Sequence, residues 1–275
     1  MNRPRRILAA LPYLVLGGYG LVAVLGPVLI GYNPRATDVV SRLLPPGSAT
    51  GAGEVAWLGT DALGRDVLAQ IVYGARTSVL IGVATVLASA VIGLTLGVIA
   101  GYAGGWVDAV LTRCFDVLLA FPGILLAIVI AGVFERSPVV VVAALSVTAW
   151  IPFARVARGS ALATRERGWV DAARVMGVGH VATLRRHILP FTAGPVVALA
   201  TLEFGLVVLA EAGLSFLGIG LPPSTVSWGQ IIAGGKDYLQ IAWWISTLPG
   251  IALTLLVISV GLFSDQLTRR TKQSH

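Results

Sequence analysis

The chain has 275 residues, of which 56% are hydrophobic and only 12% charged, with a mean hydropathy of +0.85. A soluble domain carries about 25% charged residues, so the composition excludes an ordinary water-soluble globule and makes the lipid bilayer the natural solvent. The formal charge of +7 comes almost wholly from arginines that gather where apolar runs end, as topology determinants do, which sets nucleic-acid binding aside.

The chain opens on Met1-Asn2-Arg3-Pro4-Arg5-Arg6 before the apolar run Ile7–Ile30. That run is longer than a signal-peptide core and no small-residue cleavage site follows, so it reads as an uncleaved first span. Gly31–Thr77 is the largest loop outside the membrane. Its first part, with Pro34, Pro45 and Pro46, reads as irregular, and Thr60 or Asp61 is positioned to cap a short amphipathic helix toward Tyr73. The second span is Val79–Ala100, on which Gly93, Gly97 and Gly101 recur every four residues. That spacing permits close helix packing, within this bundle or against a partner subunit.

Val117–Val133 and Pro138–Ala154 are uncharged third and fourth spans joined by the tight turn Phe134-Glu135-Arg136-Ser137. A polar stretch, Arg155–Pro190, then precedes a fifth span at Phe191–Ala210, which contains Glu203. An ionisable side chain near mid-span costs about 2.5–3.5 kcal/mol on insertion scales, so Glu203 is expected to face protein or a wet cavity. Ala212–Gly235 reads as a second outer segment whose Leu214-Ser215-Phe216-Leu217 is apolar enough to dip into the bundle. Ile241–Phe263 is the sixth span. In lipid, unsatisfied backbone groups make all six helical.

Arginine counts set the orientation. The 155–190 segment alone holds Arg155, Arg158, Arg165, Arg167, Arg174, Arg185 and Arg186, so it faces the cytoplasm with both termini. Within it, Arg165 to Ala173 has the period of a short helix, with Trp169, Val170, Ala173 and Met176 on the apolar side and Gly177 as its stop. Ala172 and Ala173 allow close approach of a partner, and Asp171 offers a charged contact.

Catalytic signals are thin. Gly235-Lys236-Asp237 lacks the first glycine and the hydroxyl of a phosphate-binding loop, with Gln230 and Asp237 standing there. His180 and His187 form no zinc-protease pattern, so no metal site is assigned. Cys114, the single cysteine, excludes an internal disulfide and has no neighbouring histidine to activate it as a nucleophile.

Three segments, in this order, carry a family resemblance over essentially the whole chain. Leu58-Gly59-Thr60-Asp61-Ala62-Leu63-Gly64-Arg65-Asp66 with Tyr73-Gly74-Ala75-Arg76-Thr77-Ser78 is the first. Asp171-Ala172-Ala173-x-x-x-Gly177 followed by His187-Ile188-Leu189-Pro190 is the second. Glu211 through Gly220 with Ser227-Trp228-Gly229 is the third. Together they resemble the permease subunits of ABC importers for dipeptides and oligopeptides, of the C type. Two positions depart from the family pattern: Asp171 stands in place of glutamate, and Phe191 in place of the asparagine after the Leu-Pro pair.

The resemblance implies an all-α integral membrane protein of the bacterial inner membrane, with six transmembrane helices of the type I ABC-importer permease fold and a cytoplasmic coupling helix. It implies a first helix over 1–30, an outer loop over 31–77, a core over 78–263 and a tail over 264–275. Asp171, Ala172, Ala173, Arg174 and Gly177 are then the residues docked to an ATPase, and Glu203, Glu211, Ser215 and Phe216 the candidates for the translocation path. The implied partners are a homologous second permease, two cytoplasmic ATP-binding subunits that use ATP and magnesium, and an extracytoplasmic solute-binding protein. The chain itself holds no cofactor and is not an enzyme. An ion-coupled secondary transporter is the alternative, for which Glu203 is the one fitting residue.

Overall fold

The computed structural model describes residues 3–30, 33 and 36–273. Met1, Asn2 and Pro34 of the sequence reading lie outside these, as do the side chains of Arg174 and of the arginines near both ends. The described residues are mostly helical, with one short hairpin, β1 (Ser48–Ala49) and β2 (Val55–Ala56), in the first loop.

Helix α1 spans Arg3–Leu29 at the place of the first predicted span, with its apolar stretch at Pro12–Gly26. Among the described residues, four helices are long and apolar enough to cross a membrane: α2 (Val67–Ala103), α5 (Pro138–Arg165), the unit His180–Phe216, and α10 (Trp244–Gln273) over Trp244–Leu267. The unit His180–Phe216 consists of α7 (His180–Thr183), a π turn at Leu184–Ile188 and α8 (Leu189–Phe216). The third predicted span is corrected to a broken one. It consists of α3 (Gly105–Leu119) and α4 (Gly123–Val133), bent by 78°. Pro122 sits at the break, where its ring and missing N–H interrupt the helical ladder.

Two further boundaries move, each for a local reason. The helix near Thr60 is not separate from the second span: Asp66 caps it, accepting from the Ala69 N–H at 2.7 Å, and α2 runs on unbroken. Burial holds the Asp66 carboxyl above its ordinary value, against the hydrogen bonds it accepts. Thr60 and Asp61 instead fasten the preceding loop, Thr60 accepting from the Leu44 N–H at 2.8 Å and Asp61 from the Leu63 N–H at 2.8 Å. The fifth span does not end at Ala210 either. It continues to Phe216 because the carboxyl of Glu211 finds partners inside the bundle.

The centre of the bundle is the packing of α2 on α5. A Cβ on Gly93 meets the Trp150 carbonyl oxygen, one on Gly97 that of Ala154, and one on Gly101 that of Arg158. Both helices advance by four residues per contact in the same direction, so they run parallel with their backbones touching. The glycine stripe is therefore used inside this chain. On earlier turns of α2, Gly82 takes Phe204 and Val208 of α8, while Gly74 takes Trp228 at the start of α9 (Trp228–Gly235). Helix α1 is joined to α10 by Tyr19, whose hydroxyl donates to the Ala252 carbonyl at 2.8 Å.

Candidate functional site

The polar stretch after α5 folds into a protruding knob. Helix α5 continues to Arg165, well past the predicted end of its span, because α3 neutralises its arginines. Arg155 pairs with Asp116 at 2.8 Å, and Arg158 donates to Asp108 through Nη2 at 2.6 Å and through Nε. After a brief turn the chain forms α6 (Gly168–Val175). Its stop is a glycine in the left-handed region, Gly177 at φ +82. The Val178 N–H donates across that turn to the Ala173 carbonyl at 3.0 Å, the closing bond of a Schellman turn.

Helix α6 is two-faced. Val170 and Ala173 are buried, whereas Asp171 and Ala172 are exposed. Val175 and Met176 are 89% and 75% exposed. Met176 was expected on the apolar side; it lies outward because the helix ends before it and the turn at Gly177 swings the chain away. Trp169, also expected inward, is partly exposed and packs across the His187 and Phe191 rings, with centroids 5.4 and 5.2 Å away. Arg167 lies 5.7 Å above the Phe191 ring. The departure at Phe191 thus has a physical role, a platform that seats the knob on α8. A tryptophan and a phenylalanine this far apart in sequence gave no signal of it.

The base of the knob is clamped to the end of α2. Arg165 donates through Nη1 to the Gly101 carbonyl at 3.0 Å, and the Tyr102 hydroxyl lies 2.9 Å from His180 Nδ1. The segment that carries α6 is thus fastened to α2 through Arg165 and His180, and to α8 through Trp169.

On the far side of the bundle, the path candidates separate. Glu211 is fully buried within the chain; Ser78 of α2 and Ser215 donate to its two oxygens at 2.8 and 2.7 Å. Ser215 is buried with it. Phe216 is exposed, with the Lys236 ammonium 5.8 Å from its ring centre. Glu203 is half-buried on α8. The loop before α2 is tied to the bundle here, since Trp244 Nε1 donates to the Thr60 carbonyl at 3.1 Å, and α9 is tied to α2 by Trp228 Nε1, which donates to the Ile71 carbonyl at 2.9 Å.

Comparison with known proteins agrees with this architecture. Residues 93–273 match the family described as "Binding-protein-dependent transport system inner membrane component". The chain is 42% identical over 248 residues to a putative peptide transport system permease protein of Brucella suis biovar 1 (strain 1330), covering 90% of this chain and 81% of the relative. It is 37% identical over 266 residues to the dipeptide transport system permease protein of Escherichia coli (strain K12), covering 97% and 88%. It is 34% identical to the di/tripeptide transport system permease protein of Pseudomonas aeruginosa (strain UCBPP-PA14), covering 89% and 81%. Among solved structures, the inward-facing MetNI methionine ABC transporter shares the fold at TM-score 0.59 and 21% identity, over 73% of this chain and 95% of that one. An amino acid ABC transporter does so at TM-score 0.54 and 15% identity, over 73% and 94%. The chain belongs to the binding-protein-dependent transport system inner membrane component family, as a multi-pass permease subunit of an ABC importer whose ATPase activity resides in separate subunits.

Proposed function

We propose that this chain forms half of the translocation path for di- or oligopeptides, paired with a homologous permease, and that α6 is its coupling helix. The observation that carries the reading is the two-faced knob. Asp171, Ala172 and the apolar Val175 and Met176 stand out from a base clamped to three membrane helices. The peptide assignment rests on the substrates in the names of the relatives.

In this reading the knob faces the cytoplasm with both termini, as the arginine distribution favours. Two cytoplasmic subunits bind ATP and magnesium, and their closure moves a two-state bundle through Asp171, Ala172, Ala173, Arg174 and Gly177. A solute-binding protein lands on the outer loops between α1 and α2 and between α8 and α10. Glu203 and Phe216 are assigned to the path, with Glu211 and Ser215 acting behind them by holding α8 to α2.

Gly177→Val tests the reading. Its φ of +82 is one that a β-branched residue adopts only under strain, although no atom crowds the position. Uptake of a dipeptide is expected to be abolished while the amount of membrane-inserted protein is unchanged. Wild-type uptake in that variant would remove α6 from the mechanism.

A further inference from the structure

A recess of about 290 Å³ opens on the side of the bundle away from the knob, and its walls come from elements far apart in sequence. Arg65 contributes from the loop just before α2, Gln70 from the start of α2, Arg136 from the α4–α5 turn, Ser215 from the last turn of α8 and Gln230 from α9. Among the described residues, no carboxylate lines it.

The hydrogen bonds around it sort its donors. Buried Asp61 accepts Arg65 Nε at 2.6 Å and Gln70 Nε2 at 3.1 Å, which fixes the guanidinium and uses the amide. Gln230 Nε2 is turned to the Leu221 and Pro222 carbonyls, at 3.4 and 3.2 Å. Among the described residues, no partner is recorded for the terminal nitrogens of Arg65 or for the guanidinium of Arg136. Arg65 is half-buried and held at Nε, so its free edge is pre-oriented for a planar two-oxygen acceptor, the geometry guanidinium groups match best. The floor at Ser215 is one hydrogen bond from Glu211 and the α2–α8 junction.

We propose that this recess is an anion subsite at the outer mouth of the path, which takes the free carboxylate of the passing solute between Arg65 and Arg136. The proposal rests on the peptide-permease reading above and adds to it a chemical requirement on the solute, a terminal carboxylate. The recess is concave and sized for the end group of a small solute, although its walls include parts of the loops on which the binding protein is proposed to land.

The test uses the complete importer in proteoliposomes with its binding protein, and alanyl-alanine as probe. Arg136 is exposed in a turn, so its variants are expected to fold. Arg136→Gln is expected to lower uptake about tenfold, the loss expected for one charge-assisted hydrogen bond. Arg136→Lys should retain more uptake than the glutamine variant, and Arg136→Glu less, with retention of the binding protein unchanged throughout. Uptake that ignores this charge order overturns the subsite, as does loss of binding-protein retention, which would give the charge to docking. If the wild-type assembly hydrolyses ATP yet imports no alanyl-alanine, the peptide reading fails and the subsite with it. Import by the wild type without the charge order removes the subsite alone.

Discussion

The hydroxyl of Ser78 donates to Glu211 at 2.8 Å, joining the first turns of α2 to the last turns of α8 across 133 residues of sequence. Ser215 donates to the other oxygen of the same carboxyl at 2.7 Å, from one turn further along α8. Glu211→Ala removes both acceptors and leaves a void among buried groups, each orphaned hydroxyl costing about 1–3 kcal/mol. The unfolding midpoint of the purified protein is expected to fall by about 5 °C or more. Glu211→Gln keeps the shape and one acceptor, and is expected to lie between alanine and wild type. Equal midpoints for the two variants would show that the hydrogen bonds contribute nothing beyond packing.

The α2–α5 contact has no space for a side chain. Gly97→Leu drives a side chain into the Ala154 backbone and the Ala157 Cβ, and overpacking of this kind costs about 1–3 kcal/mol even where neighbours yield. Backbone yields less. Loss of monodisperse protein on detergent extraction is expected. Gly159→Ala on α5 meets no atom within 4 Å and gains helix propensity, so it should match or exceed wild-type yield. If both variants behaved alike, the touching-backbone arrangement would be wrong.

The knob's seat on α8 depends on Phe191. Phe191→Asn removes the ring that contacts Trp169 and underlies Arg167. An aromatic pair contributes about 0.5–1.5 kcal/mol beyond its area, so α6 should open about fivefold more often. Tryptic cleavage after Arg165 or Arg167 is expected to accelerate by a similar factor. An unchanged cleavage rate would mean that Arg165 and the Tyr102–His180 contact hold the knob unaided.

The spans and the knob were legible because each rests on a local periodic pattern: long uncharged runs for the helices, and an amphipathic turn ended by Gly177 for α6. What was lost depended on partners distant in sequence. The fifth span was cut at Glu211 because a lone carboxyl reads as a helix end until Ser78 is seen beside it. Arg155 and Arg158 read as interfacial anchors, and their counter-charges, Asp116 and Asp108, lie on a helix that the apolar pattern had missed. The bend at Pro122 hid that helix, since a window centred on uncharged residues begins only after its polar first half. Glycine spacing announced close packing, but which backbone filled the groove followed only from the three-dimensional register with Trp150, Ala154 and Arg158.

The central claim is that α6 meets an ATPase subunit in the cytoplasm. Replacing the exposed Cys114 by serine and exposed Ala172 by cysteine gives a single thiol on the outward face of the knob. A short bifunctional thiol-to-amine reagent is expected to join it to the ATPase subunit in native membranes. A membrane-impermeant maleimide added outside intact cells should leave it unlabelled. Labelling from outside, or a cross-link pattern without any ATPase adduct, would contradict the account.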